Sequence, residues 1–160
     1  MKLYVDESRK SDLNINPSDK DGSTIMDIAA GFGKTDIVNF YVKELGDKNP
    51  PKVSNDKFEG RTPLHNAAEH GHLEVVKAIT KVVLHKNPSD VHDVTPFHLA
   101  VLKGHLPVVE YMLQYVNNVD IRTDEYWRKV TPVLRASQFG HLDMVKFLFT
   151  KGADLNLRDN

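Results

Sequence analysis

A short sequence pattern occurs four times in this chain, and its recurrence restricts the fold more than any other feature. In the fullest copy, residues 60–76 read G-R-T-P-L-H-N-A-A-E-H-G-H-L-E-V-V. The copies begin at Thr24, Thr62, Thr95 and Thr131, which are 38, 33 and 36 residues apart. A pattern that returns at such intervals predicts an array of similar structural units, each packed against the next.

Each copy of the pattern predicts two short antiparallel helices joined by a tight turn. Thr62 is a favourable N-cap, and Pro63 is tolerated at the first helical position because its missing N–H would have no partner there. Gly71, like Gly104 and Gly140 in later copies, can take the left-handed conformation that ends a helix. Apolar residues at helical spacing follow each of these glycines and predict the second helix.

The segments between the copies differ in length. Residues 45–59 contain an insertion of five residues relative to a period of 33, and they are expected to form a loop. The second full copy has no glycine after its second helix. We therefore expect that helix to continue to about Leu84 or His85 before Pro88 stops it.

The motif T-P-L-H-x-A and the period near 33 residues resemble the ankyrin-repeat family over essentially the whole chain. This resemblance implies an all-α solenoid of antiparallel helix pairs joined by β-hairpin loops, in a single domain at residues 1–160. Its expected divisions are a partial repeat or linker at 1–18 and repeats at 19–56, 57–89, 90–125 and 126–160. Neither end has the polar capping repeat that a closed solenoid needs, so the chain is expected to be a segment of a longer array.

The composition limits the kinds of partner and compartment. A net charge of −1 argues against a nucleic-acid partner, and no apolar run approaches the roughly 18 residues of a membrane span. The absence of cysteine excludes disulfides and thiolate metal sites. Because the first residues lack the apolar core of a signal peptide, we expect a cytoplasmic protein, with the nucleus as the alternative compartment. We also expect a monomer.

Two features that resemble ligand sites have structural explanations. Gly33-Lys34-Thr35 matches the end of a phosphate-binding loop, but Ile28 stands where that motif needs its first glycine. The segment before it is also predicted to be a helix, whereas the motif requires a strand. The sequence therefore argues against nucleotide binding.

Five of the eight histidines occupy fixed positions of the repeat, and the ankyrin resemblance implies structural roles for them. The histidine of T-P-L-H is expected to bond to the backbone of a neighbouring turn, and the histidine after the turn glycine to support the start of the following helix. The first kind comprises His65 and His98, and the second His72, His105 and His141. No nucleophile and base stand together in a recognisable motif. We therefore expect no metal, no cofactor and no catalysis.

The ankyrin resemblance implies that partners bind at the hairpin tips and at the exposed end of each first helix, on the concave side. Applied position by position, this rule selects Phe32, Phe58, Glu59, Arg61, Glu69, His70, Val91, His92, Val94, Leu102, Lys103, Trp127, Arg128, Val130, Gln138 and Phe139. Aromatic residues and arginine at exposed positions are frequent anchors of interfaces. The alternative is that Trp127 and Phe58 only pack on adjacent hairpins. Asp93 and Lys129 stand where the hairpin glycine is expected, so those two tips are candidates for a changed shape.

These features predict a non-catalytic protein–protein interaction module, a scaffold, adaptor or targeting segment whose partner is another protein. One alternative is a small ankyrin inhibitor that covers a functional surface of its partner. The other is a regulatory ankyrin segment of a larger enzyme or channel. Fold-level resemblance indicates how such proteins bind and leaves the identity of the partner open.

Asn156 is a candidate for hydroxylation. Ankyrin hairpins are substrates of an asparaginyl hydroxylase that favours asparagine preceded by an aspartate and an apolar residue, with leucine eight residues earlier. Asp154, Leu155 and Leu148 meet these requirements. The alternative is that Asn156 only braces its hairpin.

Overall fold

The helices come in pairs, as the repeated pattern predicts. The computed structural model describes residues 19–20, 22–45, 60–124 and 128–157, without the side chains of 44–45. Within these residues the helices are α1 (Ile25–Gly31), α2 (Thr35–Leu45), α3 (Pro63–Glu69), α4 (Leu73–Thr80), α5 (Pro96–Leu102), α6 (Leu106–Met112), α7 (Pro132–Gln138) and α8 (Leu142–Thr150). A 3-10 turn at Leu113–Tyr115 follows α6. The described residues contain no extended strand, so the expectation of an all-α array is confirmed.

Each repeat contributes one helix to each of two layers. The first helices α1, α3, α5 and α7 stack in chain order, and α2, α4 and α6 stack beside them. Within each repeat the two helices also pack on each other. This arrangement presents the ends of all the first helices in one row, next to the hairpin loops.

Small side chains allow the first helices to approach closely. Ala67, Ala68 and Ala100 are completely buried, and Phe97 and Ile79 fill the space between the layers. Because alanine adds no bulk beyond Cβ, two helix backbones can approach and still leave room for these larger side chains. The core is therefore continuous from one repeat to the next, in agreement with an array whose units stabilise their neighbours.

The first helices begin and end as the sequence predicts. The hydroxyl of Thr95 accepts a hydrogen bond from the backbone N–H of His98 at 3.4 Å, and Pro96 occupies the first helical position. At the other end of α3, Gly71 has a φ of 75°, which lets the N–H of His72 reach the carbonyl of Ala67 at 2.9 Å. These local bonds define the short helix independently of its neighbours.

Helix α4 is shorter than expected, because it ends at Thr80 and does not continue to Leu84 or His85. The Thr80 hydroxyl bonds to the Tyr111 hydroxyl of the next repeat at 2.8 Å, and the Lys86 ammonium donates to the Thr80 carbonyl at 2.8 Å. A lysine that binds a terminal carbonyl closes the helix end without a glycine. The expected extension is wrong because the repeat pattern could not reveal the contact with Tyr111, which lies 31 residues away, or the lysine bond that closes the helix end.

Candidate functional site

The histidines of the T-P-L-H positions hold the hairpins in place. The Thr62 N–H donates to Nδ1 of His65 at 3.0 Å, so the ring proton is on Nε2, which donates to the Val94 carbonyl at 3.1 Å. His98 makes the same bonds with the Thr95 N–H and the Ile121 carbonyl, each at 3.1 Å. The expected role of this first kind of histidine is confirmed.

Burial keeps these two rings neutral. Loss of contact with water lowers the pKa of His65 to about 4 and also lowers the pKa of His98. Since both nitrogens of each ring are already bonded, neither ring is available as a ligand or a base. In the described part of the chain, no group of three or more histidine, aspartate or glutamate side chains is placed to hold a metal ion.

The second kind of histidine connects neighbouring repeats. Nε2 of His105 donates to the carbonyl of Glu69 in the preceding repeat at 3.0 Å, and its side chain makes no capping bond to its own helix. His72 and His141 make the same contact with the Gly31 and Leu102 carbonyls, at 2.9 and 3.0 Å. The family resemblance implies that these histidines support the start of the helix that follows them. Their side chains instead bond to the preceding repeat and make no capping bond to that helix.

The residues directly before the turn glycines form a row of exposed side chains, the helix-end row, consisting of Phe32, His70, Lys103 and Phe139. Phe32 is 71% exposed and Phe139 is 56% exposed, although both are large and apolar. The ring of Phe139 stacks on that of His141 with centroids 6.4 Å apart. These four predicted binding residues lie at equivalent positions of the four repeats.

The other predicted binding residues differ in accessibility. Val91, Arg128 and Gln138 are exposed, and Glu69, His92 and Leu102 are half-buried. Phe58, Glu59 and Trp127 lie outside the described residues. Asn156 is exposed in the last turn.

Arg61, Val94 and Val130 are buried, and the expectation that they are exposed is wrong. Arg61 is only 7% exposed because its Nη1 lies 2.9 Å from a Glu69 carboxylate oxygen and its Nε lies 3.6 Å from an oxygen of Asp90. The Arg61 side chain thus bridges the hairpin and the end of α3 instead of pointing to a partner. A buried pair of this kind costs several kcal/mol when one member is removed.

The hairpin tips keep a left-handed backbone even without glycine. The Asp90 carboxylate accepts bonds from the N–H groups of His92 and Val94 at 2.8 and 3.0 Å, and Asp93 has a φ of 55°. A further bond of 2.9 Å joins His92 Nδ1 to the Asp124 carboxylate on the following tip. The Asp93 tip therefore keeps the conformation that glycine would favour.

A small cleft opens between the third and fourth repeats, and we call it the Leu102 cleft. It is lined by Val94, His98, Leu99, Leu102, Thr123, Val130 and Arg135 and has a volume of about 10 Å³. This is enough for one group of the size of a water molecule or a methyl. The rule that selected Val94, Leu102 and Val130 did not select the others, because the third and fourth repeats create the cleft only when they are packed together.

Comparison with known proteins supports the same architecture. A family model described as ankyrin repeats (3 copies) matches residues 2–88 and 78–159. A transient receptor potential cation channel, subfamily A member 1, from Drosophila melanogaster is 36% identical over 123 residues, which are 73% of this chain and 10% of the channel.

Two further relatives show similar repeats in different proteins. Palmitoyltransferase AKR1 of Lachancea kluyveri is 26% identical over 99% of this chain and 21% of its own length. A probable 26S proteasome regulatory subunit p28 of Saccharomyces cerevisiae is 27% identical over 81% of this chain and 56% of its own length. The chain thus spans about a tenth to just over half of these relatives.

No helix in the described ranges is long and apolar enough to cross a membrane. The stacked helix pairs, the histidine contacts between repeats and a family model that matches nearly the whole sequence agree with one another. This chain belongs to the ankyrin-repeat family.

Proposed function

We propose that the chain is a non-catalytic scaffold, adaptor or targeting module that binds another protein through its concave surface. Ankyrin repeats are generally protein-interaction modules and are typically non-catalytic. We also propose that it acts as a monomer in the cytoplasm or the nucleus. The concave surface consists here of the helix-end row and the adjacent hairpin tips.

The exposed helix-end row is the observation that carries this proposal. The equivalent residues one turn earlier on the first helices, such as Ala67 and Ala100, are completely buried, whereas Phe32 and Phe139 remain largely in water. Neither phenylalanine is needed to fill the core. The two phenylalanines stand at the ends of the row with the polar His70 and Lys103 between them. Exposed aromatic side chains beside polar ones are typical of contact sites.

Photo-cross-linking from single positions tests this function. A photoreactive phenylalanine analogue replaces Phe139 in one variant and Leu84 in another, since Leu84 is 73% exposed but lies after the second helix of its repeat, outside the helix-end row. A specific partner is expected to cross-link from position 139 and not from position 84. The cross-linked protein is then purified and its affinity for the unmodified chain is measured.

The outcome separates a binding surface from ordinary exposure. A purified protein that binds the chain with a defined affinity and cross-links only from position 139 supports the concave surface. A partner that cross-links equally from both positions, or only from position 84, contradicts it. A partner enzyme whose turnover of its substrate falls when the chain binds would favour the alternative that the chain is an ankyrin inhibitor.

A regulatory segment of a larger protein is the second candidate. Two similar proteins carry the names of a cation channel and a palmitoyltransferase, and the chain covers only 10% and 21% of their lengths. Sequencing the transcript on both sides of the codons for Met1 and Asn160 tests it. A continuous reading frame into a channel or enzyme domain would support this candidate, and stop codons in frame on both sides would favour the adaptor or the inhibitor.

A further inference from the structure

The histidine that ties a first helix to the following hairpin is replaced in the first repeat. In the second repeat His65 donates to the Val94 carbonyl of the next hairpin, and in the third repeat His98 donates to the Ile121 carbonyl. Asp27 stands at the same position of the first repeat. The junction between the first and second repeats therefore has an aspartate where the next two junctions have a histidine link.

Asp27 does not supply the missing link. Its Oδ2 accepts bonds from the N–H and the hydroxyl of Thr24, which belongs to the same repeat. Its Oδ1 is buried and has no hydrogen-bond partner among the residues that the structure describes. An ionised carboxylate has no proton to donate, so it cannot bind a hairpin carbonyl as the Nε2 of a histidine does. The bond from His72 to the Gly31 carbonyl is the histidine link that remains at this junction.

The buried carboxylate also makes separation of the first two repeats easier. Asp27 is 3% exposed, and both groups that bind its carboxylate are neutral. A buried charge that is held only by neutral groups has lost much of its hydration, and it regains water when its helix leaves the neighbouring repeat. The closed arrangement is therefore less favourable here than at a junction with a neutral histidine.

The outer side of the first repeat gives it little further support. Ile28 is 45% exposed and Ile37 is 47% exposed. Leu99 and Val108, at the equivalent positions of the third repeat, are each 1% exposed because the second repeat covers them. Separation of the first repeat from the second thus sacrifices apolar contacts on one side only.

The fourth repeat provides an internal comparison. It too has an uncovered side, since Phe149 is 59% exposed whereas Thr80, at the equivalent position of the second repeat, is completely buried. The His98 link nevertheless ties its hairpin to the third repeat, and Nδ1 of His92 lies 2.9 Å from the Asp124 carboxylate of the same hairpin. The first and fourth repeats are therefore similar in exposure and differ in their polar links.

We propose that the helix pair α1 and α2 opens and recloses as a unit while the second, third and fourth repeats stay folded, and that Asp27 is the residue that weakens its attachment. Local opening of this kind occurs where few contacts hold a segment to the rest of a fold. The histidine contact between His72 and Gly31 breaks on opening and forms again on closing.

This opening has a consequence for binding that rests on the proposed concave function. Phe32 follows α1 and completes the helix-end row only when the first repeat is packed on the second. A partner that contacts Phe32 therefore binds the closed state and slows the opening. Asp27 thereby sets the fraction of chains in which the row is complete.

Hydrogen exchange of the whole chain at pH 7, followed by mass spectrometry of its peptides, tests the opening without a partner. Asp27→His is the key variant, because it restores the histidine of the other repeats. Asp27→Asn removes the buried charge, and it serves alone if the histidine variant is not folded by circular dichroism. Asp36→Asn is the matched control, since it removes one negative charge from an exposed side chain of the same repeat.

In the original chain, the amides of α1 and α2, corrected for their intrinsic rates, are expected to exchange at least about tenfold faster than those of α7 and α8. Either change at Asp27 is expected to slow α1 and α2 by at least about fivefold and to leave α7 and α8 unchanged, whereas Asp36→Asn does not slow them.

Three results would overturn the inference. They are equal exchange in the first and fourth repeats, equal slowing of all repeats by the changes at Asp27, and unchanged exchange of α1 and α2 in these variants. Because no partner is present in this experiment, its failure leaves the concave binding function standing. Failure of the cross-linking experiment would likewise leave the local opening in place.

Discussion

The imidazole ring of His105 lies where a side chain on Gly71 would be. A Cβ built on Gly71 would lie 2.6 Å from Nδ1 of His105, while Nε2 of that ring bonds to the carbonyl of Glu69 at 3.0 Å. The same relationship holds between Gly104 and His141, where the shortest distance to the added Cβ is 2.8 Å. The turn glycine therefore has two roles, because it ends its own helix and makes room for the histidine of the next repeat.

We expect Gly71→Ala to destabilise the chain more than Gly140→Ala. Both glycines have positive φ values, 75° and 74°, so alanine costs about 1–2 kcal/mol at either position. At Gly71 the methyl group also displaces His105, with the loss of its hydrogen bond, whereas nothing lies within 4 Å of a Cβ at Gly140. The total at Gly71 is expected to be about 3 kcal/mol. Urea denaturation measures both values, and equal losses would show that the histidine contact contributes nothing.

The comparison of Gly71 with Gly140 illustrates what the sequence could predict. The helix starts, the turn glycines and the order of the repeats follow from bonds within a few residues, so a local pattern predicts them. The contact between Gly71 and His105 joins residues of different repeats, and a pattern that treats the glycines as equivalent cannot distinguish them. The expectation that the turn glycines are alike is therefore right for the backbone and incomplete for their surroundings.

The candidate surface was less predictable for the same physical reason. Whether Arg61 is exposed depends on Asp90, a residue of the next hairpin, and on the Glu69 carboxylate at the end of α3. The position of Arg61 in the repeat could not reveal these partners. The Leu102 cleft likewise requires the fourth repeat to pack on the third.

Acid is expected to destabilise the fold through His65. Burial lowers the pKa of this ring from 6.5 to about 4, so the folded chain favours the neutral form. The contribution of His65 is complete above pH 6.5 and is lost as the pH falls from 6.5 to about 4, a loss of about 3 kcal/mol. The lowered pKa of His98 likewise means that protonation of this ring destabilises the fold as the pH falls.

The variant His65→Leu isolates this contribution, because leucine occupies the same position in the fourth repeat as Leu134. The Val94 carbonyl keeps a second bond, from the Asp90 N–H at 2.9 Å. The variant is expected to lose stability at pH 7 but to lose less than the original chain on acidification to about pH 4. Urea midpoints across this range measure the difference. Parallel pH profiles for the two proteins would show that His65 is not the titrating group.

We expect Asp27→Asn to stabilise the chain at pH 7 by about 1 kcal/mol. Asp27 occupies the T-P-L-H histidine position in the first repeat, and its buried Oδ1 has no hydrogen-bond partner among the residues that the structure describes. Burial raises the pKa of this carboxyl group, although bonds from Thr24 oppose the rise. Asparagine keeps an acceptor for the Thr24 N–H, which lies 3.0 Å from Oδ2, and removes the buried charge.

The exposed Asp36 supplies the matched control for this change. Asp36→Asn alters the net charge equally but removes a favourable carboxylate from the first turn of α2, so a small loss is expected. A raised pKa means that the gain from Asp27→Asn should shrink as the pH falls and the carboxyl group becomes protonated. Thermal unfolding of both variants at several pH values measures these changes. A loss of stability in Asp27→Asn at pH 7 would contradict a destabilising buried charge at Asp27.

Asn156 is expected to be hydroxylated slowly by an asparaginyl hydroxylase. Its side chain is exposed, and both its backbone N–H and its amide donate to the Asp154 carboxylate, at 2.8 and 3.3 Å. Leu148 is buried, so an enzyme that recognises both residues must open the last helix pair. Intact-mass analysis after incubation is expected to show the gain of one oxygen atom, absent in Asn156→Ala. No gain in the unmodified chain would rule out this modification.

The exposed Phe139 provides the most direct test of the binding surface, since Trp127 lies outside the described residues. We expect Phe139→Ala to weaken binding of the cross-linked partner by about 2 kcal/mol or more, because an exposed aromatic ring that becomes buried is a typical anchor. Its loss should leave the unfolding free energy nearly unchanged, since the ring contributes little to the core. Phe149→Ala is the matched control, as Phe149 is similarly exposed but lies on the second helix of the same repeat. Calorimetric titration measures both affinities, and urea denaturation measures both stabilities. Equal effects of the two changes on binding would place the partner on another surface.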